Sequence, residues 1–362
     1  MNAVCTDYTA VFTGDRVDSE TSLKPGITLF SKNDPTGLRG EPDAATSFLH
    51  MELFTEIKHE PKHDPFCVLP GGGMDEHGTQ DGDNILGKCL LYAANQLAYQ
   101  HRLFSFSLVV CGNVVRFLRC DREGVVVSKA IDCLQSHGLV IEFLQRFNQL
   151  TVEQRGFDPT AVLAAPEEVE LFESAVVEVN IEFLKQSVGV PGKYPRFRLE
   201  VRRSSEEVSH YVVGMALDYN LGIVGRCTRG YLALDLSTMK CVFLKDMWRP
   251  DVQGAEPEHV WYEKLNKAKV PHLVKLKHAS DVVPSTPPVH YHVTIALEPT
   301  TTTSQEGTQR GLTSRLACLF GSTLQGRVHY RLVQEELCQS LSEFVSSRHL
   351  VSVVLDSLEG YT

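Results

Sequence analysis

Three groups of side chains are spaced so that they could do chemistry. His59-Glu60-Pro61-Lys62-His63 spells H-E-x-x-H, the pattern in which a helix sets two His four residues apart to grip zinc, with the Glu as general base. Glu56-Ile57-Lys58, just ahead of it, spells E-x-K. In many restriction-type nucleases that half-site holds a divalent metal through the carboxylate while the lysine orients or deprotonates the attacking water. The third group is Val242-Phe-Leu-Lys245, an apolar run closed by a lysine. It follows the Gly-bearing stretch Gly222-Ile-Val-Gly-Arg-Cys-Thr-Arg-Gly230 and precedes a helical stretch with Glu258 and Glu263.

Each group depends on the element beneath it. Pro61 lies inside the turn that would pair the two His, where it removes a helix hydrogen bond and clashes with the preceding turn, at roughly 3 kcal/mol. Asp64-Pro65 follows at once, so no helix extends from here. His59 and His63 therefore read as solvated loop residues, and no zinc is expected on them. The E-x-K group is half a site. The acid that should open the preceding strand falls on Pro25-Gly26, and Gly26 carries no ligand, while Pro42-Asp43 lies in a loop-like stretch. A lone E-x-K also arises by chance on an amphipathic strand whose Glu and Lys face water. The third group has the order of a protein-kinase small lobe: Gly loop over the phosphates, strand Lys on the α/β-phosphates, helix Glu paired with that Lys. Its loop is not G-x-G-x-x-G, and strand-ending lysines are common edge charges.

The surrounding elements divide into two halves. Apolar-polar alternation predicts strands over 27–30 and 51–58, the latter with Leu53, Thr55 and Ile57 on one face. Between residues 71 and 83 runs a Gly/Asp-rich loop without the spacing of a calcium loop. From Ile85 the pattern turns helical, with Leu86, Cys89, Leu90, Ala93 and Leu97 on one face and Asp83 or Asn84 as the expected cap. Phe104 to Ile131 reads as a three-strand meander joined by Cys111-Gly-Asn113 and Asp121-Arg-Glu-Gly124. A helix near 139–147 closes this half. The second half opens on a helix near 166–183. Strands follow near 196–201, 209–215, 231–236 and 241–245, then a helix near 258–267 and a strand ending at Val333. Pro284–Pro288 and Thr300–Thr303 mark an expected flexible insertion near 280–325.

The 362 residues are 43% hydrophobic with a formal charge of −10. That length suggests two domains with ample core. The acidic balance argues against a general nucleic-acid surface. No apolar run approaches the ~18 residues of a membrane span. Ten Cys without a C-x-x-C pair, and no signal-like apolar start, read as reduced thiols of an intracellular protein, cytoplasmic or nuclear.

From about Lys24 onward the chain resembles the fungal-type protein kinase domain family. The stretches that carry the resemblance are Glu56-Ile-Lys58 with Asp64-Pro-Phe66, Phe104–Arg119 with Asp121-Arg-Glu-Gly124, and Arg155-Gly-Phe-Asp-Pro159. They continue with Gly225-Arg-Cys-Thr-Arg-Gly230, Val242-Phe-Leu-Lys-Asp-Met-Trp-Arg249 and His329-Tyr-Arg-Leu-Val333. The resemblance implies an α+β protein: a nuclease-like α/β domain over 24–165, non-catalytic because an acid is lost at Gly26, then a kinase-like small lobe over 166–335. Residues 1–23 would be a flexible N-terminus, and 336–362 the first helices of an incomplete large lobe. It further implies that Lys245, Glu258 (with Glu263 as fallback), Gly225 and Gly230 contact ATP with magnesium, and that Glu56 and Lys58 are a nuclease remnant. No H-R-D-x-x-x-x-N and no D-F-G occurs, so the chain is expected to end before the active site and to have no catalytic residue. The expected activity is then weak ATP binding, or a pseudokinase-type scaffold role with a protein partner, with a metal-dependent nuclease-like protein as the further alternative. Leu350, Val351, Val354, Leu355 and Leu358 form a helical stripe that a large lobe would bury. Without that cover the helix is expected to fold back, self-associate or fray.

Overall fold

The computed structural model describes residues 1–34, 36, 46–68, 74–202, 207–219, 221–282 and 326–359. They form two compact units. The first comprises the described residues of Met1–Pro159 and Leu221–Cys227, the second those of Thr160–Asn220, Thr228–Ser285 and Gly326–Thr362. Most of the expected insertion, and Pro42-Asp43, fall outside the described residues. Among the described residues no helix is long and apolar enough to cross a membrane.

In the first unit, strands β1 (Tyr8–Phe12), β2 (Ile27–Ser31) and β3 (Met51–Lys58) run antiparallel. After the hairpin of β4 (Phe66–Val68) and β5 (Met74–Glu76), helix α1 (Gln80–Tyr99) carries the chain to β6 (Phe104–Cys111), which pairs in parallel with β3. Antiparallel strands β7 (Val114–Asp121), β8 (Val125–Val127) and β9 (Ile131–Asp132) then extend the sheet, and α2 (His137–Gln149) follows. The helices cover opposite faces. Leu86, Cys89, Leu90 and Ala93 of α1 pack with Phe30, Phe54, Val109 and Leu118, whereas Phe143, Leu144 and Phe147 of α2 pack with Leu29, Leu53, Leu108 and Phe117. Each fully buried large apolar side chain contributes roughly 1.5–3 kcal/mol.

Several expectations change here. The stretch expected to be flexible holds a strand, because Cys5 and Tyr8 are buried against α2 and β1 closes the edge of the sheet. Helix α1 starts five residues before Ile85, and its cap is Thr79, whose hydroxyl accepts the Gly82 N–H at 3.2 Å, in place of Asp83 or Asn84. The alternation in β3 marks no solvated face. Six of its eight residues are buried, Glu52 and Glu56 among them, as a central strand covered by a helix on each side requires.

The Arg155-Gly-Phe-Asp-Pro159 stretch locks the end of this unit. Arg155 pairs with Glu52 at 3.0 Å, and Phe157 lies 3.7 Å beneath the Arg102 guanidinium. Gly156, at φ +100°, accepts the Leu103 N–H at 2.7 Å, and its missing Cβ would stand 2.0 Å from the Phe104 carbonyl oxygen.

The second unit is an antiparallel sheet. Strands β10 (Ala161–Leu163), β11 (Phe197–Arg202), β12 (Val208–Val213), β14 (Arg229–Asp235), β15 (Lys240–Pro250), β17 (Arg327–Gln334) and β16 (Leu276–Asp281) are neighbours in that order, and β13 (Asp218–Tyr219) pairs with β14. Cα atoms of β11 and β16 come within 8 Å of each other, so the sheet curls around one face. That inner face holds Leu199, Tyr211, Tyr231, Val242, Leu244 and Val333. On the outer face α3 (Pro166–Val177) and α4 (Glu182–Ser187) cover Val212, Leu232 and Leu234, while α5 (Glu258–Lys267) lies beside Met247, Tyr330 and Leu332. Helix α6 (Ser347–Glu359) buries no residue, and Val351, Val354, Leu355 and Leu358 of its stripe are exposed.

Candidate functional site

Strand β15 continues past Lys245 to Pro250, so the lysine sits within a strand and not at its end. Side chains alternate along a strand. Leu244 and Asp246 therefore point to the inner face of the sheet, and Lys245 and Met247 to the face where α5 lies. The ten-residue α5 begins at Glu258, which sets that carboxylate on its first turn. Lys245 Nζ donates to Glu258 Oε1 at 2.7 Å, with each side chain about three-quarters buried. Glu263 is exposed. Of the two helix acids it is thus Glu258 that meets the strand lysine. An ammonium carries three donors, so this bond leaves two with which to grip a phosphate oxygen.

The two glycines part company. Gly230 is not in a loop but in β14, and its Cα faces that of Lys245 across the β14–β15 ladder. A Cβ on it would stand 3.0 Å from the Phe243 ring, which is a packing reason for glycine at this position. Gly225 has φ +124° with open space about its missing Cβ, so backbone conformation accounts for it. It belongs to the first unit, where Ile223 of the same segment joins the core under α1. The expected loop flanked by two glycines is therefore split between a core-packed segment of the first unit and a strand of the second.

In the first unit Glu56 is buried and is held by Lys58 Nζ at 2.5 Å. A Cβ on Gly26 would lie 3.1 Å from the Thr55 carbonyl oxygen and 3.3 Å from Ile57, a close fit in which those neighbours must give way slightly. Pro61–His63 forms one 3-10 turn, with His59 exposed and His63 3.7 Å from Asp81. That turn cannot give the helical pairing of two His that H-E-x-x-H needs. The thiols nearby are core residues: burial pushes Cys111 up to about 11 and Cys120 up to about 12.

Asp246 was not foreseen as special. It is fully buried, with Arg229 2.5 Å from its Oδ2, and with His329 and, at 3.4 Å, Arg331 on its Oδ1. Arg331 in turn reaches Thr160 Oγ1 at 2.9 Å and the Glu200 carbonyl at 2.7 Å. Burial alone would raise the Asp246 pKa, but the pull of His329, Arg229 and Arg331 outweighs it and holds the carboxyl well below the usual range. The signal was present: Arg229, Asp246 and Arg331 each share strand parity with Tyr231, Leu244 and Val333 of the inner face.

Among known proteins, the model of one family, described as fungal protein kinase, matches residues 77–362, most of the chain. Glu56 and Lys58 lie ahead of the matched range. No curated protein and no solved structure matches.

Proposed function

The chain belongs to the fungal protein kinase family, and from that premise we propose that its second unit is a nucleotide-binding small lobe in which Lys245, oriented by Glu258, holds the phosphates of ATP. The observation that carries the reading is the 2.7 Å Lys245–Glu258 pair, a strand lysine and a helix glutamate at the relation that kinase phosphate binding uses. Magnesium would arrive with the nucleotide, and ATP would supply the phosphate oxygens that the ammonium holds. The chain's own part is to present the ammonium and fix its direction. The 362 residues contain no H-R-D-x-x-x-x-N and no D-F-G, the motifs that carry the base and the metal-holding residues in kinases. Phosphotransfer by a polypeptide of these residues is therefore expected to be absent, since a positioned base alone contributes ~10²–10⁴-fold. Radiolabelled ATP turnover above that of Lys245→Ala would overturn this. Binding is tested by amine-reactive labelling of Lys245 with and without ATP and magnesium. Nucleotide-dependent protection is expected, and unchanged labelling at saturating nucleotide would sink the proposal.

A second reading, a pseudokinase-type scaffold that engages a protein partner, is favoured by the outer side of α5. Trp261 there is 54% exposed beneath Lys264, and no residue of the helix is fully buried. An intact partner complex from a Lys245→Ala chain would support this reading.

A further inference from the structure

Helix α5 has no fully buried residue, so apolar packing fixes its position only weakly, yet Glu258 on its first turn must reach a lysine of β15. Its N-cap is Pro257, which offers no capping side chain, and the first-turn N–H groups of a helix need partners from elsewhere. One such partner comes from β17. Tyr330, wholly buried on the α5 side of the sheet, accepts the backbone N–H of His259 at 3.2 Å, and its hydroxyl lies 3.0 Å from His259 Nδ1. The phenol and imidazole rings stack at 6.0 Å. Gln334, at the end of the same strand, donates to the Tyr262 hydroxyl at 2.7 Å, one turn further along the helix.

We propose that Tyr330 is the positioning residue of the Lys245–Glu258 pair: its hydroxyl pins the first turn of α5 to β17, and so sets Glu258 within reach of Lys245. The hydroxyl accepts from the His259 amide and bonds Nδ1 of the same residue, donating to it when the ring hydrogen is on Nε2 and accepting from it when the hydrogen is on Nδ1. Burial raises the phenol's pKa above its ordinary value, so the hydroxyl keeps its proton at working pH. Glu258 and His259 are adjacent, so a pin on one amide constrains the neighbouring side chain directly. Gln334 acts as a second pin at Tyr262, further from the pair. The nucleotide reading above rests on this same pair, but the pin itself does not depend on nucleotide.

The test is the rate at which an amine-reactive acylating reagent labels Lys245 in the full chain without nucleotide, read by mass spectrometry. Four proteins are compared: the native chain, Tyr330→Phe, Glu258→Gln and the double variant. Tyr330→Phe keeps the ring that fills the core and removes only the hydroxyl. It is expected to raise the labelling rate by about fivefold, the population shift from losing one net hydrogen bond. Glu258→Gln is expected to raise it at least as much, and the double variant to match Glu258→Gln, because Tyr330 acts through the pair. A merely structural tyrosine would change the rate not at all or give effects that multiply, and either outcome overturns the proposal. If Tyr330→Phe melts early, hydrogen–deuterium exchange at the His259 amide of the native chain serves as the second measurement. Protection of that amide is expected, and exchange as fast as in an unbonded amide would likewise overturn the proposal. Failure here with ATP protection of Lys245 intact would leave the nucleotide reading standing, and the converse would remove only that reading.

Discussion

Replacing Asp246 by Ala is expected to cost the second unit ~3–5 kcal/mol, the range for breaking a buried ion pair by removing one partner. The loss comes less from the bonds than from what remains. Arg229, Arg331 and His329 would be left buried around a void, with two guanidinium charges and no counter-charge among the three. Domains are stable by only ~5–15 kcal/mol, so a large part of the unit's margin would go. Asp246→Asn keeps the shape and one acceptor and is expected to fall between the two. Urea unfolding followed by near-ultraviolet circular dichroism measures both, and a midpoint within error of the native chain for Asp246→Ala would refute the role given to this carboxylate. The pH dependence has a definite sign. The native pKa lies well below that of an ordinary aspartate, so the stabilisation is present in full above the ordinary value. It is lost only as pH falls through the lowered native pKa. The Asp246→Ala chain is expected to lack that component of acid sensitivity.

Gly156→Ala is expected to be of similar size in the first unit. Two costs combine at this position. A left-handed backbone costs an L-residue with a side chain roughly 1–2 kcal/mol, and φ here is +100°. The added methyl would in addition stand 2.0 Å from the Phe104 carbonyl oxygen, an overlap that only backbone movement relieves. Such movement breaks the Leu103–Gly156 hydrogen bond and loosens Phe157 beneath Arg102. The total is on the order of 3–4 kcal/mol, at the upper end for a point substitution. Calorimetric melting of the full chain should show a first-unit transition lowered by many degrees, and an unshifted transition would mean that Gly156 is not where the chain closes on β6.

What the sequence reveals and hides can be followed residue by residue. The helix carrying Leu86 and Leu97 was legible because period 3.6 is imposed by its buried face, and the meander from Phe104 because two turn sequences punctuate its β-rich runs. Lys245 and Glu258 were legible from the order Gly-bearing stretch, apolar strand with lysine, helix with glutamate, and from the family resemblance. Glu56 was not legible as a buried group, because in a central strand with helices on both sides alternation no longer marks a wet face. The Asp246 cluster shows in the sequence only as shared strand parity, for a related reason. A charge on a strand reads as solvent-facing until the register shows that β14, β15 and β17 place Arg229, Asp246 and Arg331 side by side. The assignment of residues 221–227 to the first unit depends on contacts remote in sequence, such as the Arg122–Gly222 hydrogen bond, and no local pattern carries that.

The most direct test of the nucleotide-binding reading is equilibrium dialysis of radiolabelled ATP with magnesium against the folded native chain and Lys245→Ala. A charge-assisted hydrogen bond is worth ~1.5–3 kcal/mol, about 10–100-fold in affinity. Saturable binding of one nucleotide per chain, weakened at least about tenfold in Lys245→Ala, is the expected result. Equal binding by the two proteins, or no saturable binding by the native chain, would contradict it.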